Sequence, residues 1–193
     1  MINNTQDREV IEQENSIVKR YDLTNYLIEQ YNFVDYLEIG VAFGNCVRNV
    51  KVKNKDAVDP VVEVNVRCPE INYEMTSNEF FALEKIQNKK YDVIFIDGLH
   101  ETTQVDIDIQ NSLKHLNEGG FILLHDCNPV SYESQLVPRQ ATAWNGDVWK
   151  SIVKLRCSDV DLDGCLDWNT FSDNKKYILN LIGPGKFFEK YGK

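Results

Sequence analysis

The chain has 193 residues, 42% of them hydrophobic, which predicts one domain with a substantial core. Its formal net charge of -9 repels phosphate backbones and anionic bilayers, so neither nucleic acid nor a membrane is an expected partner. The five cysteines are odd in number and contain no CxxC pair, which argues against a disulfide framework or a cysteine metal cluster and predicts a reducing, cytoplasmic setting.

Residues 1–20 are polar and charged and read as a flexible or helical lead-in, without the apolar stretch of a secretory signal. Residues 21–193 read as a single domain. Leu23, Tyr26, Leu27 and Tyr31 recur at helical spacing. A strand is expected from Phe33 to Ile39, closed by Gly40, and a weak helix after Gly44. A short strand is expected from Asp56 to Asp59, stopped by Pro60, and another from Tyr73 to Thr76. Phe80, Phe81, Leu83 and Ile86 predict a helix over Glu79 to Gln87, just after Ser77 and Asn78. Tyr91 to Asp97 has the strongest strand pattern. Val105, Ile109, Leu113 and Leu116 form the apolar stripe of a helix predicted over Glu101 to Leu116, with Gly119 and Gly120 as its stop. Phe121 to Asp126 predicts the next strand. Residues 127–146 form a long loop, the kind that is usually functional in a compact domain. A helix over Asp147 to Leu155 and a last strand over Lys176 to Ile182 complete the series. Strands alternating with helices predict an α/β fold with a mostly parallel sheet.

Two of these strands end in acid and imidazole. Tyr91-Asp-Val-Ile-Phe-Ile-Asp97-Gly-Leu-His100 is one, and Phe121-Ile-Leu-Leu-His125-Asp126 is the other. Parallel strands that are buried on both faces put their carboxyl ends at one edge, where ligands bind. Asp97, His100, His125 and Asp126 are therefore expected at one site. Upstream, Gly40 and Gly44 bracket a sharp turn, where glycine lets backbone approach a ligand. Asp59 ends the next strand, where a carboxylate accepts hydrogen bonds from ribose hydroxyls.

Plainer readings stand beside these. The glycines also suit an ordinary turn, the aspartates also cap helices, and a histidine at a strand end often only bonds to a turn. His115 reads as solvent-facing, and Asp106 and Asp108 as a solvated helix face. Asp159-Val-Asp161-Leu-Asp163-Gly164 opens like a calcium loop, but Thr170 stands where the closing glutamate belongs, so a solvated acidic loop is expected. Trp144, in the loop, is the candidate to line an acceptor pocket. Trp149 falls at helical spacing with Ile152 and Val153 and suits the core equally well.

The segment Glu38-x-Gly40-x-x-x-Gly44 resembles the first motif of class I S-adenosylmethionine-dependent methyltransferases, and Ala57-Val-Asp59-Pro60 resembles their ribose-binding acid. Met75 to Phe81, Phe95 to His100, Leu124 to Pro129 and Trp144 to Lys150 resemble a small metal-dependent O-methyltransferase subgroup that includes enzymes acting on macrolide sugars. The resemblance spans residues 30–185. It implies a three-layer α/β/α Rossmann-like fold of about seven strands, the last antiparallel. It implies that Glu38, Gly40, Val41, Phe43, Gly44, Asp59, Ser77, Asn78 and Asp97 bind S-adenosylmethionine. It also implies that Asp97 and Asp126 hold a divalent metal, with His125 as a third ligand and His100 as general base. This chain departs from the pattern twice: Asn78 stands where the family commonly has Asp, and His125 where related sugar methyltransferases have an acid. Mg²⁺ is the expected metal, but imidazole suits Mn or another transition metal better.

The expected reaction is methyl transfer to a hydroxyl of a small-molecule or glycan acceptor. A metal-dependent oxygenase or hydrolase on the same fold, or a non-catalytic cofactor-binding module, are the alternatives. The oligomeric state, including a homo-oligomer, stays open.

Overall fold

The structure is a computed structural model that describes residues 19–61, 68–156, 168–169 and 172–173. The expected last strand, the Asp159–Gly164 segment, Thr170 and residues 1–18 of the lead-in lie outside the described residues.

Helix α1 is Arg20–Tyr31, and strands β1, Asp35–Ile39, and β2, Asn54–Val58, follow. Helix α2 is Ser77–Ala82, strand β3 is Tyr91–Ile96, and helix α3 is Thr102–Lys114. Strand β4 is Leu116–Leu124 and helix α4 is Trp149–Arg156. The strands form one sheet in the order β2-β1-β3-β4, and every pairing is parallel. The α/β class and parallel sheet are as the alternation predicts, with four strands among the described residues.

Alternation along the strands explains the two-sided burial. Leu37, Ile39, Ile94 and Ile96 join Phe80, Phe81, Val105 and Ile109 in one apolar cluster, so α2 and α3 cover that face. Tyr36, Val93 and Phe95 join Ile28 of α1 on the other face. Each fully buried aliphatic or aromatic side chain here is worth roughly 1.5–3 kcal/mol. Asp92 interrupts the apolar run of β3 for a structural reason. Its Oδ2 accepts from the Val34 and Asp35 N–H groups at 2.8 and 3.0 Å, and its Oδ1 accepts from Asn117 Nδ2 at 2.7 Å. One carboxylate thus ties the starts of β1 and β4 to β3.

Several local expectations change. The segment after Gly44 makes turns without forming a helix; Val47 and Val50 turn inward instead. The strand expected at Tyr73 reduces to a single bridge with Val58. The helix expected over Glu79 to Gln87 starts earlier, on a Thr76–Glu79 capping box, and breaks at Leu83 before a 3₁₀ turn over Glu84–Ile86. Gly119 and Gly120 do not stop α3, which ends at Lys114. They sit in an irregularity of β4, where the register jumps from Tyr91–Leu116 to Val93–Phe121.

His115 is buried, not solvent-facing; its Nδ1 lies 2.8 Å from the Lys89 carbonyl and its ring packs on Phe81. Asp108 is buried as well, and accepts from Gln104 Nε2 at 3.0 Å. Burial raises its carboxyl above the ordinary range, while hydrogen bonds from Ser77 and Gln104 oppose the shift. Asp106 keeps its surface position and pairs with Lys154 at 2.6 Å. Among the described residues no helix is long and apolar enough to cross a membrane.

Candidate active site

The sheet ladder continues one residue beyond each strand. Gly40 N–H donates to the Val58 carbonyl at 2.9 Å, Asp97 N–H to Ile39 at 2.8 Å, and His125 N–H to Ile96 at 3.0 Å. Gly40, Asp97 and His125 therefore sit in a row along the carboxyl edge. The chain moves from β1 outward to β2, then returns to β3 on the opposite side of β1, so the strand order reverses here. That is where open α/β sheets bind ligands.

Gly40 has φ +83°, and a β-carbon on it would overlap the Asp97 carbonyl and lie 2.6 Å from the Gly98 Cα. Its missing side chain thus serves the contact between two strand ends. Gly44, at φ +76°, is similarly crowded by the Cys68 sulfur. Asp59 Oδ2 accepts from Val41 N–H at 2.9 Å and Ala42 N–H at 3.0 Å, and Oδ1 accepts from Val61 N–H at 2.7 Å. The acid ending β2 thereby holds the glycine turn. Phe43 projects from that turn, 62% exposed, whereas Val41 is buried.

Glu38 is 1% exposed and accepts from Tyr36 Oη at 2.6 Å. Burial pushes its carboxyl up to about 7, against hydrogen bonds from Tyr36 and Cys46. It lies beneath the turn. Ser77 and Asn78 open α2, and both bond to Gln104: Gln104 Nε2 donates to Ser77 Oγ and to Asn78 Oδ1, each at 3.2 Å.

The two acidic endings converge. His125 Nδ1 lies 2.8 Å from Asp126 Oδ2 and 3.1 Å from Asp97 Oδ1. His100 Nε2 lies 3.3 and 3.5 Å from the same two oxygens. Asp97, His100 and Asp126 offer ligand atoms within 4.8 Å of one another, a spacing that fits one divalent ion. Asp126 reaches this position through φ +56°, which aspartate tolerates better than most side chains. Asn145 Nδ2 donates to its Oδ1 at 2.6 Å.

Backbone contacts fix the tautomer of His100. Its Nδ1 stands 3.1 Å from the Trp144 carbonyl, which can only accept, so that nitrogen carries hydrogen. Nε2 then faces two carboxylates and takes a proton or a cation. The Trp144 ring stacks on the imidazole at 5.2 Å and 26°. Burial lowers the His100 pKa, but the Asp97 hydrogen bond and the charge of Asp126 raise it above its ordinary value overall. For His125, burial again opposes, and hydrogen bonds to Asp126 and Asp97 raise the imidazole to about 9. Burial pushes the Asp97 carboxyl up, yet the two imidazoles and Arg20 hold it well below the carboxylate range.

Two contributors have no signature in the sequence. Arg20 pairs with Asp97 Oδ2 across 77 positions, from the stretch read as lead-in. Gly146, at φ +62°, lets the loop lie on His100; a β-carbon there would sit 2.6 Å from the His100 Cβ. A cavity of about 640 Å³ adjoins this loop, lined by Tyr132, Gln135, Leu136, Asp147, Trp149 and Trp168. Asp147 joins it to the site, its N–H donating to the His100 carbonyl at 3.2 Å.

Residues 37–127 match the family model described as a methyltransferase domain. That match covers just under half of the chain and includes the glycine turn, Asp59, Asp97, His100 and Asp126. It supports a methyltransferase, with S-adenosylmethionine as the implied methyl donor. An uncharacterised protein of Acanthamoeba polyphaga mimivirus is 27% identical over 124 residues, which cover 53% of this chain and 56% of that protein. The chain thus spans little more than half the length of the relative it matches.

Proposed function

We propose that the protein is an S-adenosylmethionine-dependent, metal-assisted O-methyltransferase acting on a small hydroxylated acceptor, a sugar or glycoconjugate. The observation that carries this reading is His100 Nε2 poised over Asp97 and Asp126, beside the Gly40 turn. The turn and the β2 end form the cofactor floor. Asp59 spends three acceptor positions on backbone N–H groups, which leaves about one of its four lone-pair directions for a ribose hydroxyl. Phe43 offers an exposed apolar face to the nucleoside, and the polar opening of α2, at Ser77 and Asn78, is the expected adenine contact.

Asp97 and Asp126 would hold the divalent ion, with His125 as third ligand; when bound, the ion stabilises a developing alkoxide at neutral pH. His100 holds hydrogen on Nδ1 against the Trp144 carbonyl, which leaves Nε2 to take the acceptor proton. Trp144 and the loop behind it keep the ring oriented. A sugar acceptor would lie in the adjoining cavity, whose lining combines Tyr132 and Trp168 with Gln135 and Asp147. The 4.8 Å spacing favours a second reading of one residue: His100 as a ligand in place of His125. One lone pair cannot serve both roles at once.

The direct test is thermal shift of the purified chain with S-adenosylhomocysteine, with and without Mg²⁺, Mn²⁺ or EDTA, followed by methyl transfer to candidate sugars. Stabilisation by the cofactor product, increased by metal, is expected. An unmoved melting temperature with saturating S-adenosylhomocysteine rejects the methyltransferase reading.

A further inference from the structure

Both carboxylate oxygens of Asp97 already meet basic groups of this chain. Oδ1 meets His125 Nδ1 at 3.1 Å and His100 Nε2 at 3.5 Å, and Oδ2 meets the Arg20 guanidinium. Asp97 is mostly buried, with a side chain 14% exposed, whereas the Arg20 side chain is 40% exposed and reaches in from outside. Arg20 is the first residue of α1, which packs its Ile28 on the opposite face of the sheet from α2 and α3. Its side chain therefore crosses the carboxyl edge to reach the site. A guanidinium is permanently charged and cannot vacate the contact by losing a proton.

We propose that Arg20 is a built-in competitor for the divalent cation at Asp97, so that ion binding and release of Arg20 from that carboxylate are one coupled event. This rests on the metal-assisted reading above. The physical reason is that two cations crowded onto one carboxylate repel each other, and only the ion brings two net charges against the guanidinium's one. Arg20 neutralises Asp97 until the ion arrives, then the first turn of α1 loses its anchor at the site mouth. The device couples the position of α1 to metal occupancy and weakens ion binding by the strength of the pair it breaks.

The experiment uses the full chain with Mn²⁺ titrated by electron paramagnetic resonance, comparing wild type, Arg20→Gln and Asp97→Asn. Arg20→Gln is expected to bind Mn²⁺ roughly two- to fivefold more tightly, the range set by a partly exposed ion pair. In parallel, the Arg20 Nε–H resonance, assigned by its loss in Arg20→Gln, is followed during Mg²⁺ addition. It is expected to move to a solvent-exposed position at saturation. Equal Mn²⁺ affinity in wild type and Arg20→Gln, or an Arg20 resonance that stays put at saturating Mg²⁺, overturns the proposal while leaving the metal site intact. Failure of wild type and Arg20→Gln alike to bind Mn²⁺ overturns the metal site and the proposal together, and S-adenosylhomocysteine binding then still tests the cofactor floor separately.

Discussion

Gly40 and Asp97 touch backbone to backbone: a β-carbon on Gly40 would overlap the Asp97 carbonyl. The glycine turn and the acidic strand end are thus one structural unit. The Gly40→Ala variant must both strain a φ of +83° and push β3's carboxyl end away from β1. A loss of several kcal/mol is expected, in line with the large penalties of such sites. Thermal unfolding with and without S-adenosylhomocysteine checks this. Wild-type melting in Gly40→Ala would show that the contact is not required.

The two tryptophans near the loop divide differently from the sequence expectation: Trp149 is buried and also lines the cavity, whereas Trp144 stacks on His100 and is not among the cavity's lining residues. Trp149 is 1% exposed, and its Nε1 donates to Gln135 Oε1 at 3.4 Å. Trp149→Ala should cost about 3–5 kcal/mol of stability. Trp144 stacks on His100, donates from Nε1 to the Leu136 carbonyl at 2.7 Å and carries the Arg139 guanidinium over its face. Trp144→Ala should lower turnover far more than stability, and Trp144→Phe should recover part of the turnover by restoring the stack. Comparison of melting temperature with kcat for the three variants tests the split.

How much of this was legible in the sequence depended on the range of the interactions. Continuous apolar runs revealed β3 and the later half of β4 from local composition, but only β3 is buried on both faces. Phe121 to Leu124 are half-buried, because β4 is the edge of the sheet among the described residues. The site residues at their ends followed from the geometry of parallel strands. Arg20 was invisible because its partner lies 77 positions away and its own surroundings are polar. His115 and Asp108 misled for the opposite reason. Polar neighbours in sequence suggested solvent, whereas Lys89 and Gln104 supply their hydrogen bonds inside the fold. Gly146 carries no signal of its own; only the docked loop shows that a side chain there would strike His100.

Glu38 makes stability depend on pH in a predictable direction. Its folded pKa stands at about 7, raised from the ordinary 4.5, so the native state binds the proton more tightly than the unfolded chain does. Between those values the folded state holds more protons, and this group's contribution to stability falls as pH rises. The full effect is on the order of 3 kcal/mol. Glu38→Gln carries no titrating proton, so its stability relative to wild type should improve from pH 5 to pH 8. Denaturant melts at both values measure it, and a constant difference between the two proteins would contradict a raised Glu38 pKa.

His100 and Asp126 permit the sharpest separation of roles, because metal affinity and proton transfer are measured independently. As a base, His100 contributes to the chemical step alone. His100→Ala should then lower kcat by roughly 10²–10⁴-fold while Mn²⁺ affinity stays near wild type. As a ligand, His100 would instead take Mn²⁺ affinity down with it, by at least as much as the 10–100-fold loss typical of groups that only support the ligands. Asp126→Asn should reduce both quantities, since Asp126 Oδ2 faces both imidazoles and belongs to the ligand-spaced set under either reading. Equilibrium Mn²⁺ titration alongside single-turnover methyl transfer distinguishes these patterns. Wild-type values of both in His100→Ala would remove His100 from the site's chemistry altogether, and the stack on Trp144 would then be only the packing of a loop.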